Sequence, residues 1–158
     1  MAEAAAPHRL EAVVIDEVSL APAGPEQEKE RGIAVSDLLQ ANYFEPLGAP
    51  GGPYALRIGL VETRLELDIT GPDYAMRHIL SLAPFRRIVR DYLAICQSYY
   101  EAARAATPTQ IEAIDMGRRG LHNEGAALLI ERLHGKVKTD PATARRLFTL
   151  LCALHWRG

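Results

Sequence analysis

The spacing of apolar positions changes once along this chain, at Pro84, from a period of two to a helical period. Before that point, Arg9–Asp16 is short and β-branched around Leu10-Glu-Ala-Val-Val-Ile15 and reads as a strand. Ala21-Pro-Ala-Gly-Pro25 breaks the chain, and Pro25-Glu-Gln-Glu-Lys-Glu30 opens a helix expected to reach Gln40. Proline suits the first helical position, and the acidic residues suit the positive end of the helix dipole. Pro46–Pro53 is a loop by composition. Tyr54, Leu56, Ile58 and Leu60 then alternate with Ala55, Arg57 and Gly59, and Leu65, Leu67 and Ile69 alternate with Arg64, Glu66 and Asp68. These are half-buried strands. Gly71-Pro72-Asp73 is a turn, and Tyr74–Leu82 completes a meander.

Beyond Pro84, residues Phe85, Ile88, Val89, Tyr92, Cys96, Tyr99 and Ala103 form one stripe of an amphipathic helix extending to about Ala106. Thr107-Pro108-Thr109-Gln110 fits a capping box, opening a helix that runs, continuous or interrupted, to about His134. Gly135–Thr139 is a connector, and Asp140-Pro141 starts a last helix whose segment Leu147–Trp156 is apolar nearly all round. Strands and helices are segregated, so the expected class is α+β. The expected architecture is an antiparallel sheet of about four strands packed on a C-terminal three-helix unit, with one additional N-terminal helix near 25–40. Residues 1–7 are expected to be loose, and 8–158 to form a single domain, strand-rich over 8–83 and helical over 84–158.

Composition adds limits. A chain of 158 residues, 48% hydrophobic and 24% charged, is of ordinary globular make-up. The start lacks the pattern of a secretory signal, and no apolar run is long enough to cross a membrane, so a cytoplasmic location is expected. Cys96 and Cys152 form no CxxC motif and read as reduced thiols used for packing. The net charge of −2 conceals an asymmetry: residues 1–83 carry 6 Lys+Arg against 13 Asp+Glu, and residues 84–158 carry 12 against 7. Either the halves neutralise each other inside one domain, or the basic half meets an anion.

Candidate chemistry gathers in two places. Ile114–Gly125 contains Gly117, Gly120 and Gly125 in a helical context, where each costs about 1 kcal/mol relative to alanine. Close helix crossing, a break in the helix or backbone approaching a ligand would each account for them. On a continuous helix Glu112, Asp115, Arg119 and His122 fall within an arc of about 80°, opposite Ile114, Leu121 and Leu128. That row is either a solvated face of ion pairs or a site, with Asp115, His122 and Glu124 as the candidate acid/base groups and Glu112 and Arg118 beside them. The second place is the start of the helix after Pro84. There Arg86, Arg87 and Arg90 oppose the dipole unless an anion compensates them: a carboxylate of the acidic half, a phosphate-bearing ligand or a nucleic-acid backbone. Arg145 and Arg146 repeat the arrangement in the last helix. Tyr43, Tyr54 and Tyr74 could offer a stacking surface, although no RNA-binding motif accompanies them. His8 and His134 are expected to be exposed. His122-Asn-Glu124 lacks the second half of a zinc-deaminase signature, so neither a metal nor a cofactor is expected.

Gly51-Gly-Pro-Tyr-Ala-Leu56, Leu82-Ala-Pro-Phe-Arg-Arg-Ile-Val-Arg-Asp-Tyr92, Ala106-Thr-Pro-Thr-Gln-Ile-Glu-Ala-Ile-Asp-Met-Gly-Arg-Arg-Gly-Leu-His122 and the run Ala144–Gly158 carry a resemblance. With these segments the chain resembles the small uncharacterised protein families of alpha-proteobacteria. The resemblance implies a stand-alone bacterial cytoplasmic protein and supplies no activity, cofactor or catalytic residue. Three functional readings therefore stand. The first is a non-catalytic binding or regulatory module for a phosphate- or carboxylate-bearing ligand or partner, using Arg86, Arg87, Arg90, Arg118 and Arg119. The second is a small acid/base enzyme around Asp115 and His122. The third is a homo-oligomeric or partner-protein module. The partners these admit are an anionic small molecule, a protein, a second copy of the chain or, with no motif behind it, RNA.

Overall fold

The computed structural model describes residues 7–20 and 23–154. The expectations for residues 1–6, for the break at Ala21-Pro22 and for the helix end at His155 and Trp156 lie outside them. Helices and strands alternate with the period of their sequences. The order is β1 (Leu10–Ile15), α1 (Pro25–Gln40), β2 (Phe44–Pro46), β3 (Tyr54–Val61), β4 (Arg64–Gly71), β5 (Tyr74–Ser81), α2 (Arg86–Ala105), α3 (Pro108–Leu133), β6 (Val137–Thr139) and α4 (Pro141–Ala153). The class is α+β, with a C-terminal unit of three helices and α1 as the additional one.

The main sheet has four strands in the order β1-β3-β4-β5. Its meander is antiparallel, with Ile58 opposite Leu67 and Leu65 opposite Leu80. The expected all-antiparallel sheet needs one correction, because β1 runs parallel to β3 with Leu10 beside Tyr54 and Ile15 beside Ile58. The physical reason is the connection. A parallel neighbour requires a crossover of a dozen or more residues, and α1 with β2 supplies it. A second, two-stranded ribbon pairs β2 with β6, placing one short strand just ahead of the expected loop, sharing only Pro46 with it, and the other inside the expected connector.

Leu56, Ile58, Leu65, Leu67 and Ile69 point to one face of the sheet, where Leu129 and Leu133 of α3 and Leu150 and Leu151 of α4 cover them. The other face is wet, and Arg77 there pairs with Asp68 at 2.6 Å and Glu66 at 3.8 Å. Exposed pairs of this kind stabilise little. One buried charge lies elsewhere. Arg31 of α1 is only 3% exposed. Its guanidinium donates to the carbonyls of Ala153 and Leu154 at 3.2 Å each and reaches Glu17 at 3.2 Å. It thereby supplies donors to carbonyls at the C-terminal end of α4, which have no intrahelical partner.

Capping explains where the helices start. The Thr107 side chain accepts from the Gln110 N–H at 3.3 Å while Gln110 answers to the Thr107 N–H at 3.0 Å, and the Asp140 carboxylate accepts from the Thr143 N–H at 2.8 Å. Between its caps α3 is unbroken for 26 residues. Its glycines are therefore not breaks. A methyl group at Gly125 would run into the ring of Phe148, and one at Gly117 would lie 2.8 Å from the tip of Ile95, so these two permit close helix crossing. At Gly120 a methyl would meet open space.

Gly125→Ala should therefore lower stability by about 1–3 kcal/mol through overpacking. Gly120→Ala should raise it by about 1 kcal/mol through helix propensity. Urea unfolding of the two variants reads the opposite signs. Arg31→Met, which leaves two carbonyls of α4 without their donors, should cost about 2–3 kcal/mol in the same measurement.

Candidate functional site

The inward row of α3 runs through His122, Gly125, Ala126, Leu129 and Leu133. The expectation that His122 lies on a face opposite the core is therefore corrected. Small residues, not large apolar ones, carry the contact, so the buried row is hard to see by hydropathy. The imidazole is half-buried. It stacks on Tyr92 of α2, with centroids 5.4 Å apart and planes 22° from parallel, and lies 5.9 Å from the ring of Phe148 in α4. Tyr92 in turn meets Phe148 edge-on at 5.5 Å.

The imidazole Nε2 lies 3.0 Å from the Arg145 carbonyl and 2.9 Å from the Thr149 hydroxyl, and that hydroxyl donates to the same carbonyl at 3.1 Å. A carbonyl can only accept, so Nε2 carries the hydrogen and Nδ1 is the bare nitrogen of the neutral ring. Burial pushes the His122 pKa below its ordinary value; the Arg145 carbonyl opposes this, and the charges of Arg145 and Arg118 add to it. The neighbouring groups are silent at neutral pH. Burial raises the Tyr92 phenol and both thiols, Cys96 and Cys152, which are free cysteines. None of them is a ready nucleophile.

His122 lines a cleft of about 370 Å3 together with Asp37 and Gln40 of α1 and Ala142, Arg145, Arg146 and Thr149 of α4. The α4 members follow the spacing i, i+3, i+4, i+7 and so form one face of its first two turns. Arg146 is held in place, donating to the Ala41 carbonyl at 2.6 Å. Neither Arg145 nor Arg146 is at ion-pair distance from a carboxylate of the described residues. Asp37 stands on the wall, and Asp140 accepts the Thr143 N–H and is also held low in part by the Arg146 charge.

The other candidates are elsewhere. Arg87 lies between Asp91 at 3.6 Å and Glu124 at 3.3 Å, Arg90 contacts Asp91 at 3.4 Å, and Arg86 is exposed. Their compensating carboxylates come from the helical half itself, not from the acidic first half. Arg118 binds Asp115 at 2.6 Å and covers the Tyr99 ring at 4.6 Å, and Arg119 binds Asp115 at 2.8 Å. The hydrogen bond from Arg118, with the charge of both arginines, holds the Asp115 carboxyl below its usual range against a smaller opposing effect of desolvation. Glu112 is exposed. Glu124 lines a separate groove with Arg87. His122 and Glu124 therefore line separate clefts, and Asp115 is taken up by its two guanidinia.

Two aromatic expectations also change. Tyr54 is fully buried and offers no stacking surface, and His8 is half-buried, with its Nδ1 2.7 Å from the Tyr54 hydroxyl. The void between sheet and helices holds only about 30 Å3 and has no polar lining, so it is a packing gap. Among the described residues no three His, Cys, Asp or Glu side chains gather as a metal site, and no helix is long and apolar enough to cross a membrane.

The model of the Uncharacterised protein family UPF0262 matches residues 7–157. The chain belongs to that family. A UPF0262 protein of Phenylobacterium zucineum is 65% identical over 151 residues, covering 96% of this chain and 95% of the relative. One from Caulobacter vibrioides is 61% identical over 156 residues, covering 99% and 98%, and one from Azorhizobium caulinodans is 57% identical over 162 residues, covering both chains fully. No solved structure matches the chain. Within this UPF0262 protein, Gln40, Asp37 and Thr149 are cleft residues that sequence reasoning missed. Thr149 was accessible through the helical spacing from Arg145, whereas the α1 residues depend on docking.

Because the folded His122 ring binds its proton less tightly than the unfolded one, the unfolded chain is favoured as pH falls. That part of the stability is complete above about 6.5 and is lost between there and the lower folded value. The melting temperature should therefore drop between about pH 7.5 and 5.5, and His122→Gln should flatten the drop. Burial and Lys136 also lower His78, so His78→Gln removes the second contribution.

Proposed function

We propose that this UPF0262 protein is a non-catalytic binding or regulatory module whose ligand carries a phosphate or carboxylate, taken up in the cleft between α1, α3 and α4. One observation carries the reading. Arg145 and Arg146 stand side by side in the second turn of α4, with no carboxylate of the described residues at ion-pair distance, the Asp140 cap feeling the Arg146 charge only at longer range. An anion between them would offset their mutual repulsion. The planar guanidinium forks suit phosphate or carboxylate oxygens. The Ala142 N–H, at a helix start where intrahelical partners are lacking, adds a donor of the same kind.

The opposite wall narrows the ligand further. Asp37 accepts hydrogen bonds, and Gln40 both donates and accepts. A molecule with an anionic group at one end and hydroxyl or amino donors at the other, such as a sugar phosphate, satisfies both sides. The acid/base reading has less support, because Asp115 is occupied by two guanidinia and Glu124 belongs to another groove. The partner-protein or homo-oligomer reading draws on edge strand β5, which has no proline or bulge and leaves Met76 51% and Ile79 41% exposed.

A thermal-shift panel of inorganic phosphate, sugar phosphates, nucleotides and di- or tricarboxylates at low salt tests the proposal. A ligand at about 100 times its Kd should raise the melting temperature by about 5–10 °C. Arg145→Ala should abolish the shift, whereas Arg119→Ala should keep it. A panel without any shift, or a shift indifferent to Arg145, sinks the reading. A dimer mass in light scattering would favour the edge-strand alternative.

A further inference from the structure

A second groove, remote from the α4 arginines in sequence, has a different chemistry. It lies where α3 ends and the ribbon begins. Gly135, with φ +82°, turns the chain out of α3, and the Leu47 N–H then donates to the Lys136 carbonyl at 2.9 Å. The turn and the ribbon enclose a groove of about 500 Å3, within the usual range for ligand pockets. Its floor is aliphatic. Leu47 is 68% exposed and Ile130 38% exposed, while Val137 beneath them belongs to the core. Single exposed leucines are ordinary on protein surfaces. Here two open aliphatic side chains share one concavity with His134, Lys136, Lys138 and a single carboxylate, Glu45.

Neither lysine of that concavity forms an ion pair with a carboxylate of the described residues. Glu45 stands directly opposite Lys138 in the ribbon, yet the two form no ion pair, and the Glu45 carboxylate accepts the Tyr43 hydroxyl instead. Lys136 likewise has no carboxylate of the described residues at ion-pair distance.

We infer that this groove binds an amphiphilic carboxylate, with its aliphatic chain along Leu47 and Ile130 and its head between Lys136 and Lys138. The chain gains by leaving water, and the head gains charge-assisted hydrogen bonds. Both parts are required. Acetate lacks the apolar body, and an alcohol of equal length lacks the charge.

Decanoate below its micellar concentration is the probe, with decanol and acetate as controls, followed by amide shifts in two-dimensional NMR of the full chain. Decanoate should perturb Leu47, Ile130 and residues 134–139. Decanol should bind about tenfold more weakly, as for the loss of one charge-assisted contact. The double variant Lys136→Glu, Lys138→Glu should weaken decanoate by at least as much. Leu47→Ser is the second arm. It should weaken decanoate severalfold without lowering the melting temperature, since the Leu47 side chain is 68% exposed. Decanol matching decanoate, perturbations confined to another surface, or unchanged affinity in both variants would overturn the inference.

Discussion

The contact between Gly125 and the ring of Phe148 sets how the helical half is assembled. With no side chain on α3 at that point, an aromatic residue of α4 can lie against the helix backbone, and α3 and α4 approach more closely than two side-chain-bearing rows would allow. Everything polar nearby follows from that approach. Tyr92 meets the same ring from α2, and His122, one turn before Gly125, is brought within reach of the Arg145 carbonyl and the Thr149 hydroxyl. The histidine is therefore held by three helices at once. Its tautomer, half-burial and orientation toward the α1 side are outcomes of one missing methyl group.

Charge is organised by the same geometry. The arginines at the start of α2 and in the middle of α3 find their carboxylates one helical turn away or on the adjacent helix, so the basic excess of the second half is largely neutralised within it. Arg145 and Arg146 differ because the residues facing them belong to α1, whose end offers a carbonyl, an amide and a single carboxylate at longer range. Arg31 links the same two helices at the other end. α4 is thus fixed to α1 by a guanidinium near each end, which leaves the cleft walls little freedom. A ligand entering it meets donors that are already in place, and the entropic cost of ordering them has been met in folding.

Much of this fold was legible in the chain because the signals were local. The alternation in β3 and β4, the change of period at Pro84 and the cap-plus-proline starts at Thr107 and Asp140 each rest on residues within a few positions of one another. The features that escaped depend on distant partners. The parallel placement of β1 requires knowing that α1 serves as a crossover, and the β2·β6 ribbon joins segments about ninety residues apart, as in Glu45 with Lys138. The candidate site shows the same division. Arg145, Arg146 and His122 stood out as charge or imidazole on a helix, but His122 was assigned to the wrong face. Hydropathy equates burial with large apolar side chains, and on α3 the row that is buried deepest begins with glycine and alanine.

The parallel edge also bears on how the chain comes together. The β3–β4–β5 meander closes through short turns, whereas β1 must find Tyr54 across forty-four intervening steps, with a helix to be formed on the way. Closing so long a loop costs more entropy than a hairpin, so the meander is the natural nucleus and β1 a late arrival. Once in place, β1 is clamped by Asn42, whose side chain accepts from the Leu10 N–H at 2.7 Å and donates to the Leu10 carbonyl at 3.2 Å. That clamp lies just beyond the C-terminal end of α1, next to the Ala41 carbonyl that anchors Arg146. Strand β1 is thus secured from the same stretch of chain that sets one wall of the α1–α4 cleft, so local opening at the sheet edge would be felt at the cleft.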